Sequence, residues 1–442
     1  MFRPSYAGIW AVSWPLIVAG VSETVVEVTD AIFLGHYGVT ELAAVGLAGS
    51  IYAVALAFTM GLVDAVQIVV GRRVGENDVA GVGASFNQGM YLLALVSVAL
   101  IALIEWAVPL FTARAIASPP LRRAVDAYLE IAAFGVLFHA FNLAYSAFYV
   151  GISRTRVLIG ATALLALANV GLDYALIFGH WGLPELGIAG AGAALVGAEA
   201  LVCLFLTGHV LVRRYPRDYG LLRFGRWRGG ITRHLVSLGT PVSLDALVET
   251  GRWFLFFLIV EELGQEALAV ATIVFSCYAV FTIPVDAFSE SVCSMVSNLI
   301  GQERGGQARV VIRRASVLSL AGVLPILLLA GLFPHAVVGL FTERAEMTTP
   351  ALPSLAVVMV ATLAAVPAEA YYSAVAGTGD TWGALVIQVL VSVVVVAVAA
   401  LAALVLELSL PWIWGAELAG TLACLVAARS RFGSGAWRHL RV

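Results

Sequence analysis

The chain has 442 residues, of which 61% are hydrophobic and 12% charged, and its formal net charge is −3. With a mean hydropathy of +0.96, this composition excludes a water-soluble globular protein. Apolar runs alternate with short charged or Gly/Pro-bearing turns, and most exceed the roughly 20 residues that a helix needs to cross a bilayer. The sequence therefore predicts an all-α polytopic membrane protein.

In chain order the pattern predicts twelve transmembrane helices, six in each half. They lie near residues 10–35, 44–71, 87–112, 126–150, 157–179, 188–212, 234–260, 267–299, 311–333, 352–376, 383–406 and 410–429. We expect an amino-terminal lobe over 1–212 and a carboxyl-terminal lobe over 234–442. The basic segment 213–233 interrupts the apolar pattern between them and is interpreted as a cytoplasmic linker.

The two halves are related by an internal repeat. Adding 226 to a residue number in the first half reaches its counterpart without gaps, so that Pro15 meets Pro241 and Glu23 meets Glu249. Gly151 likewise meets Gly377. Internal repeats in membrane chains are typical of transporters, which place the substrate site at the repeat interface. The repeat predicts two pseudo-symmetric six-helix lobes.

The distribution of basic residues predicts the orientation. All 25 are Arg, and with an even number of spans twenty fall on the side of the termini and four on the other, with Arg252 inside a span. Cytoplasmic loops of membrane proteins carry the excess of Arg and Lys. We therefore expect a multi-pass protein of the cell (cytoplasmic) membrane with both termini in the cytoplasm.

Ionisable residues inside the spans are the candidates for function, because each costs ~2.5–3.5 kcal/mol at a helix centre unless it is paired, hydrated or useful. Glu23 and Asp30 are seven residues apart and share one helix face, as do Asn169 and Asp173, four apart. An amide and a carboxylate facing a second carboxylate can ligate Na⁺, and two adjacent carboxylates can equally share a proton. The alternative, that Asn169 and Asp173 only bond neighbouring helices, stays open.

Other intramembrane charges are candidates for a second coupling or substrate site. Glu249 stands three residues before Arg252, close enough for an intrahelical ion pair that would make the glutamate largely structural. Asp64 and Glu290 occupy equivalent repeat positions and fit either a cavity lining or a structural role. A bundle interior with these carboxylates and one Arg is suited to cations.

Several segments together resemble the multidrug and toxic compound extrusion (MATE) family over essentially the whole chain. Pro15, Glu23 and Asp30 follow the spacing of that family's first helix. The turns 151–155 (Gly-Ile-Ser-Arg-Thr) and 377–381 (Gly-Thr-Gly-Asp-Thr) are similar to its Gly-rich turns. The resemblance implies the fold of the wider superfamily of multidrug, oligosaccharide-lipid and polysaccharide transporters, abbreviated MOP.

The resemblance also implies site residues. The family's amino-lobe cation site falls on Asp30, Tyr128, Asn169 and Asp173, with Na⁺ possible at the two aspartates and the asparagine. A helix-six Thr of related members falls on Ala191, which removes one ligand oxygen and leaves Na⁺ or H⁺ open as the coupling ion.

In the carboxyl-terminal lobe the resemblance implies a functional glutamate eight residues after a proline of helix seven. Glu249 stands at that distance from Pro241. The family's helix-ten aspartate falls near Ala365, and Glu369 follows one turn later on the same face. A purely interfacial role for Glu369 stays open.

The resemblance implies a secondary active multidrug efflux transporter that exchanges organic, often cationic, compounds for Na⁺ or H⁺ by alternating access of two lobes. We expect no enzyme chemistry and no cofactor, since a phosphate-binding loop of the Walker type requires a Lys and the chain has none. Expected partners are small drug-like molecules and membrane lipids, without nucleic acid, around a monomer. The alternatives are a lipid-linked precursor flippase of the same superfamily, which would carry a cationic cavity, and a channel.

Overall fold

The computed structural model describes residues 4–116, 118–223, 225–340, 345–435 and 437. Within these residues the chain is helical and has no strand, so the predicted all-α fold is confirmed. Four of the Arg residues used to predict the orientation lie outside the described residues: Arg3, Arg344, Arg438 and Arg441.

The described residues of the first half form eight helices. They are α1 (Tyr6–Tyr37), α2 (Val39–Gly75), α3 (Val79–Ala115), α4 (Pro119–Ala132), α5 (Gly135–Gly151), α6 (Arg156–Phe178), α7 (Ile188–Val212) and the short α8 (Tyr215–Asp218). The described residues of the second half form seven more α-helices. They are α9 (Gly229–Glu261), α10 (Gln265–Gly301), α11 (Ala308–Leu332), the short α12 (Pro334–Gly339), α13 (Ala345–Gly377), α14 (Thr381–Ala400), which continues into a π-helical turn over Leu401–Val405, and α15 (Leu410–Ser434).

Each of the twelve predicted spans falls on one of these helices or, for 126–150, on the pair α4 and α5. In the described part of the chain ten helices are long and apolar enough to cross a membrane, and the bent pair α4–α5 makes an eleventh. The twelfth predicted span is α9, which is as long as the others but carries Asp245, Glu249 and Arg252. These charges lower the apolarity of its middle.

The internal repeat appears in the helix boundaries. α10 begins and ends 226 residues after α2. Likewise α13 begins 226 residues after the start of α4 and ends 226 residues after the end of α5. The two copies of this last element differ, because α13 runs without a break whereas α4 and α5 meet at an angle of 48°. Gly135 opens α5 beside α2, where a Cβ atom would lie 3.0 Å from the Tyr52 hydroxyl oxygen.

Helix packing divides the chain into two compact units. Val18–Ser243 form one, called here the amino-terminal unit; the residues up to Ile17 pack with those from Leu244 onward in the other, the carboxyl-terminal unit. The boundaries fall inside α1 and α9, so each of these helices contributes to both units. In the carboxyl-terminal unit the start of α1 is joined to α10 by a 2.8 Å hydrogen bond from Ser13 Oγ to Ser291 Oγ.

The segment between α8 and α9 packs against α3 within the amino-terminal unit. The amide of Asn87 donates to the Gly220 carbonyl at 2.9 Å and accepts from the Leu222 N–H at 2.8 Å. The amide oxygen of Gln88, the next residue, accepts from Arg228 N at 2.9 Å. The basic segment is therefore fixed by side-chain amides of α3 and is not an isolated loop.

Large apolar side chains are exposed on the outer helices of both units. Examples are Leu204 at 70%, Val212 at 81% and Val426 at 69% exposure. A water-soluble surface rarely presents so many large apolar groups together, whereas hydrocarbon chains solvate them well. The exposed surface is that of a multi-pass membrane protein.

The close crossing of α10 and α13 gives a stability test. A Cβ on Gly377 would lie 2.3 Å from the Cys293 carbonyl oxygen, and its repeat counterpart Gly151 is similarly tight, at 2.6 Å from a Val70 methyl. Gly377→Ala is expected to destabilise the protein by about 1–3 kcal/mol, because backbone must move to admit the methyl group. The thermal unfolding midpoint of the purified protein checks this.

The matched control is Gly415→Ala on α15, since a Cβ there meets nothing within 4 Å. Alanine has the higher helix propensity by ~1 kcal/mol, so this variant should be neutral or slightly more stable. Equal midpoints for the two variants would show that the α10–α13 crossing does not need a glycine.

Candidate functional site

The first candidate site joins α1 and α6 in the amino-terminal unit. Asn169 and Asp173, one turn apart on α6, are 1% and 0% exposed, and Asp30 approaches them from α1. With the Asn169 amide oriented to satisfy its neighbours, its Nδ2 donates to Asp30 Oδ1 at 2.9 Å and to Asp173 Oδ2 at 3.0 Å. One amide thus bridges two carboxylates that also lie within hydrogen-bonding reach of each other.

The charges of this cluster favour the binding of a further cation or proton. Tyr128 on α4 is 7% exposed and lies in the electrostatic range of both Asp30 and Asp173. The buried Oδ1 of Asp173 has no hydrogen-bond partner among the described residues. A buried, uncompensated carboxylate oxygen beside a second carboxylate favours binding of a proton or a monovalent cation.

The oxygen donors of this cluster are two carboxylates, an amide and a phenol. Ala191 is 3% exposed on α7, and its methyl group provides no oxygen. No cluster of three or more His, Cys, Asp or Glu side chains able to hold a metal ion occurs in the described part of the chain. The donor set therefore fits a shared proton, or Na⁺ with an incomplete protein shell.

The second candidate site is a cavity of about 270 Å³ in the carboxyl-terminal unit. Five carboxylates and one guanidinium face it: Asp245, Glu249, Asp286, Glu369 and Glu417, with Arg252. Its walls also include the aromatic side chains of Trp253, Phe275, Tyr278 and Tyr372. The cavity is therefore acidic and aromatic, a combination that suits organic cations.

Arg252 is held by a different residue from the one that the sequence suggested. Its guanidinium donates to Glu417 on α15 in a short ion pair, and both side chains are less than a tenth exposed. The Tyr278 hydroxyl donates to the other Glu417 oxygen at 3.2 Å. The expected contact with Glu249 is present but longer, at 3.6 Å, and the Glu249 side chain is 51% exposed.

Glu417 supplies the close counter-charge of the Arg252 guanidinium. The Glu249 carboxylate therefore remains available to the cavity, which it faces. Glu369 on α13 lies in the same cavity, one turn after the buried Ala365. The Tyr372 hydroxyl donates to Asp245 Oδ1, which fixes a third carboxylate in the wall. The structure thus brings Glu249 and Glu369 together, as part of a larger acidic group than the sequence suggested.

The remaining candidates lie outside these two sites. Asp64 is half-buried on α2 and Glu290 half-buried on α10, and neither lines the acidic cavity. Glu23 shares a helix with Asp30 but is exposed, and it lies in the electrostatic range of His139 on α5.

Sequence reasoning missed two pairs. Glu417 is the partner of Arg252, and His139 places Nδ1 2.8 Å from Glu199 Oε1. Each missed residue is an ionisable group within a predicted apolar span, and that position was the available signal. The pairing itself joins residues 60 or 165 positions apart, which no local spacing predicts.

Comparison with known proteins identifies the repeat with a described family. The model of the MatE family matches residues 15–175 and again residues 241–401. The second match is displaced from the first by 226 at both ends, the offset found in the sequence. The predicted repeat is confirmed.

Individual relatives and a solved structure agree with that match. The chain is 31% identical over 373 residues to "Probable multidrug resistance protein NorM" of Pseudomonas aeruginosa, covering 82% of this chain and 75% of that protein. The NorM protein of Rhizobium meliloti is 29% identical over 351 residues, covering 77% and 72%. An outward-facing multidrug resistance MATE family transporter of the MOP superfamily has the same fold, with a TM-score of 0.90, 20% identity and coverage of 97% and 96%. The chain therefore belongs to the MatE family, whose members are membrane transporters and not enzymes.

Proposed function

We propose that this protein is a secondary active efflux transporter that exports small organic, often cationic, compounds in exchange for Na⁺ or H⁺. Two lobes alternate access to the two sides of the cell membrane, with both termini in the cytoplasm and one chain as the working unit. The acidic cavity of the carboxyl-terminal unit carries the proposal, because five carboxylates face one guanidinium there. The name of the Pseudomonas and Rhizobium relatives, multidrug resistance protein, supports the same function.

The cavity would bind substrate through charge and aromatic surface. Glu249 and Glu369 supply negative charge that the Arg252–Glu417 pair does not neutralise. Trp253 and Phe275, whose ring centroids are 4.7 Å apart with the rings edge to face, supply an aromatic wall. Cations gain about 0.5–2 kcal/mol over such rings, more as water is excluded. A wall of this kind selects for charge and shape class rather than for one compound.

The cluster of Asp30, Asn169 and Asp173 would bind the coupling ion. A proton or Na⁺ placed there removes the repulsion between two carboxylates that share one bridging amide. Because the cluster joins α1 to α6, its charge state affects how these helices pack. The ion gradient would thereby bias the amino-terminal lobe between its two access states.

The driving force limits what such an exchange can achieve. One cation that enters down ~100 mV releases ~2.3 kcal/mol, and a tenfold concentration ratio adds ~1.4 kcal/mol. Together they hold a neutral compound at a gradient of a few hundredfold. Exchange of one monovalent cation for another cancels the voltage contribution and leaves about tenfold.

The flippase alternative requires the opposite electrostatics. A lipid-linked pyrophosphate carries negative charge, which the described acidic cavity would repel, since its one guanidinium is already paired with Glu417. The observation therefore favours cation export over precursor flipping.

The first test concerns the coupling site. Asp30→Asn and Asp173→Asn are each expected to reduce gradient-driven efflux of a fluorescent organic cation from proteoliposomes to below roughly a tenth of the wild-type rate, because the ion loses its carboxylate. Na⁺ and H⁺ gradients imposed separately identify the coupling ion in the wild type.

Asp218→Asn is the matched control, since this carboxylate is exposed on α8 of the same unit. It should transport at the wild-type rate. Size-exclusion profiles and thermal midpoints separate loss of coupling from loss of folding. Wild-type efflux by both folded coupling-site variants would refute the assignment.

The second test concerns the acidic cavity. Glu249→Gln and Glu369→Gln are each expected to raise the Kd for tetraphenylphosphonium about tenfold, the effect of losing ~1.4 kcal/mol of charge attraction. The affinity for an uncharged compound of similar size should change much less. Equilibrium binding to the purified protein measures both constants.

Glu262→Gln provides the control, because Glu262 is exposed just beyond α9 in the same unit. Its Kd values should match those of the wild type. If the two cavity variants bind the cation as tightly as this control, substrate cations do not depend on the cavity carboxylates.

A further inference from the structure

A polar cluster in the amino-terminal unit belongs to neither site described above. His139 on α5 places Nδ1 2.8 Å from Glu199 Oε1 on α7. Asn142 donates through Nδ2 to the other carboxylate oxygen at 2.7 Å and to the Glu199 carbonyl at 2.9 Å. The Glu199 side chain is 6% exposed, whereas that of His139 is 25% exposed. The imidazole is therefore the accessible side of a buried pair.

The hydrogen bonds indicate which group takes up a proton. Both carboxylate oxygens of Glu199 face nitrogen donors, and an ionised carboxylate satisfies both of them as an acceptor. With Nδ1–H donated to the carboxylate, the free acceptor of a neutral imidazole is Nε2. A proton that enters the cluster is thus taken up by His139, which becomes an imidazolium beside its counter-ion.

Other titratable groups surround the pair. Glu23 on α1 lies in the electrostatic range of His139, and Tyr52 on α2 and Cys203 on α7 lie in that of Glu199. Among these three groups, Glu23 is the carboxylate. With a neutral imidazole the net charge of the cluster is therefore −2. After proton uptake the imidazolium makes the net charge −1.

The repeat supplies an internal comparison. In the carboxyl-terminal unit the ion pair of Arg252 and Glu417 has Tyr278 and Glu249 as neighbours. These two neighbours are the counterparts, at the 226 offset, of Tyr52 and Glu23. Both units thus surround a buried acid of their last long helix with a cation, a tyrosine and a first-helix glutamate.

The two clusters differ in the chemistry of the cation. Arg252 is charged at all physiological pH values, whereas an imidazole gains or loses its proton in this range. The position of the acid also differs, because Glu417 corresponds to Ala191, two helical turns before Glu199. One unit has a permanent ion pair where the other has a titratable one.

We propose that His139 and Glu199 form a proton-binding site in the amino-terminal unit, whose proton is released when an organic cation binds beside the exposed side of the imidazole. The proposal rests on the proposed export of organic cations. Loss of the proton restores the second negative charge of the cluster and so favours the cationic substrate. Proton uptake has the opposite effect and favours its release. Proton and organic cation therefore compete for the negative charge of this one cluster.

Proton release on binding tests the site directly. Tetraphenylphosphonium is added to the purified full-length protein in weakly buffered detergent solution, from about pH 5 to pH 8, where imidazole titrates. A pH indicator counts the protons released. The wild type is expected to release up to about one more proton per protein than His139→Gln or His139→Arg, which keep the cluster neutral or charged.

Two further variants complete the design. Glu199→Gln should move the pH at which release is half-maximal lower by about one unit, because the imidazolium loses its counter-ion. His36→Gln should behave as the wild type, since His36 is exposed and its Nδ1 contacts a carbonyl of its own helix. Equal release by the wild type and folded His139→Gln, or an unmoved midpoint in Glu199→Gln, would overturn the proposal.

The failure of the site and that of the proposed function give different results. If wild-type proteoliposomes show no gradient-driven efflux, the proposed function is wrong. If efflux occurs but the histidine variants release protons like the wild type, only the site is wrong.

Discussion

The cost of placing charge in apolar surroundings organises this protein. Two of the buried clusters are held by side chains from different helices: Asn169 on α6 bonds Asp30 on α1, and Glu417 on α15 pairs with Arg252 on α9. Removal of such a partner would leave a charge without water or counter-ion, at a cost of several kcal/mol. The requirement draws the ionisable residues into a few clusters. These clusters are the places where a transported cation or proton can replace a partner.

The repeat supplies one scaffold twice, but the two copies place different chemistry on it. Asp30 corresponds to Phe256, which is fully buried with its ring centroid 4.9 Å from that of Trp414. Asn169 and Asp173 correspond to Val395 and Ala399, both fully buried in the same apolar core. The position that holds two carboxylates in one unit is therefore a hydrophobic core in the other. The two units therefore share a helix arrangement but differ in the charges that they place at equivalent positions.

Much of the fold could be predicted because membrane helices follow local rules. Each span needs its own run of apolar residues, so the twelve predicted spans fall on helices or on the bent pair α4–α5. The bend itself was not predictable, since no proline marks it and α13 passes through Pro350, Pro353 and Pro367 without a break. The polar character of α9 follows from the ionisable residues that line the acidic cavity from that helix.

The sequence by itself determined the solvent, the helices, the repeat and the residues that share one helix face, such as Asn169 and Asp173. These properties depend on composition or on separations of a few residues. The tertiary structure alone determined the partners of the buried charges: Glu417 rather than Glu249 for Arg252, and Glu199 for His139. The paired residues lie on different helices and are 165 and 60 positions apart in the chain, respectively. Their formation depends on how helices pack, because a charge is compensated by whichever opposite charge lies nearest in space.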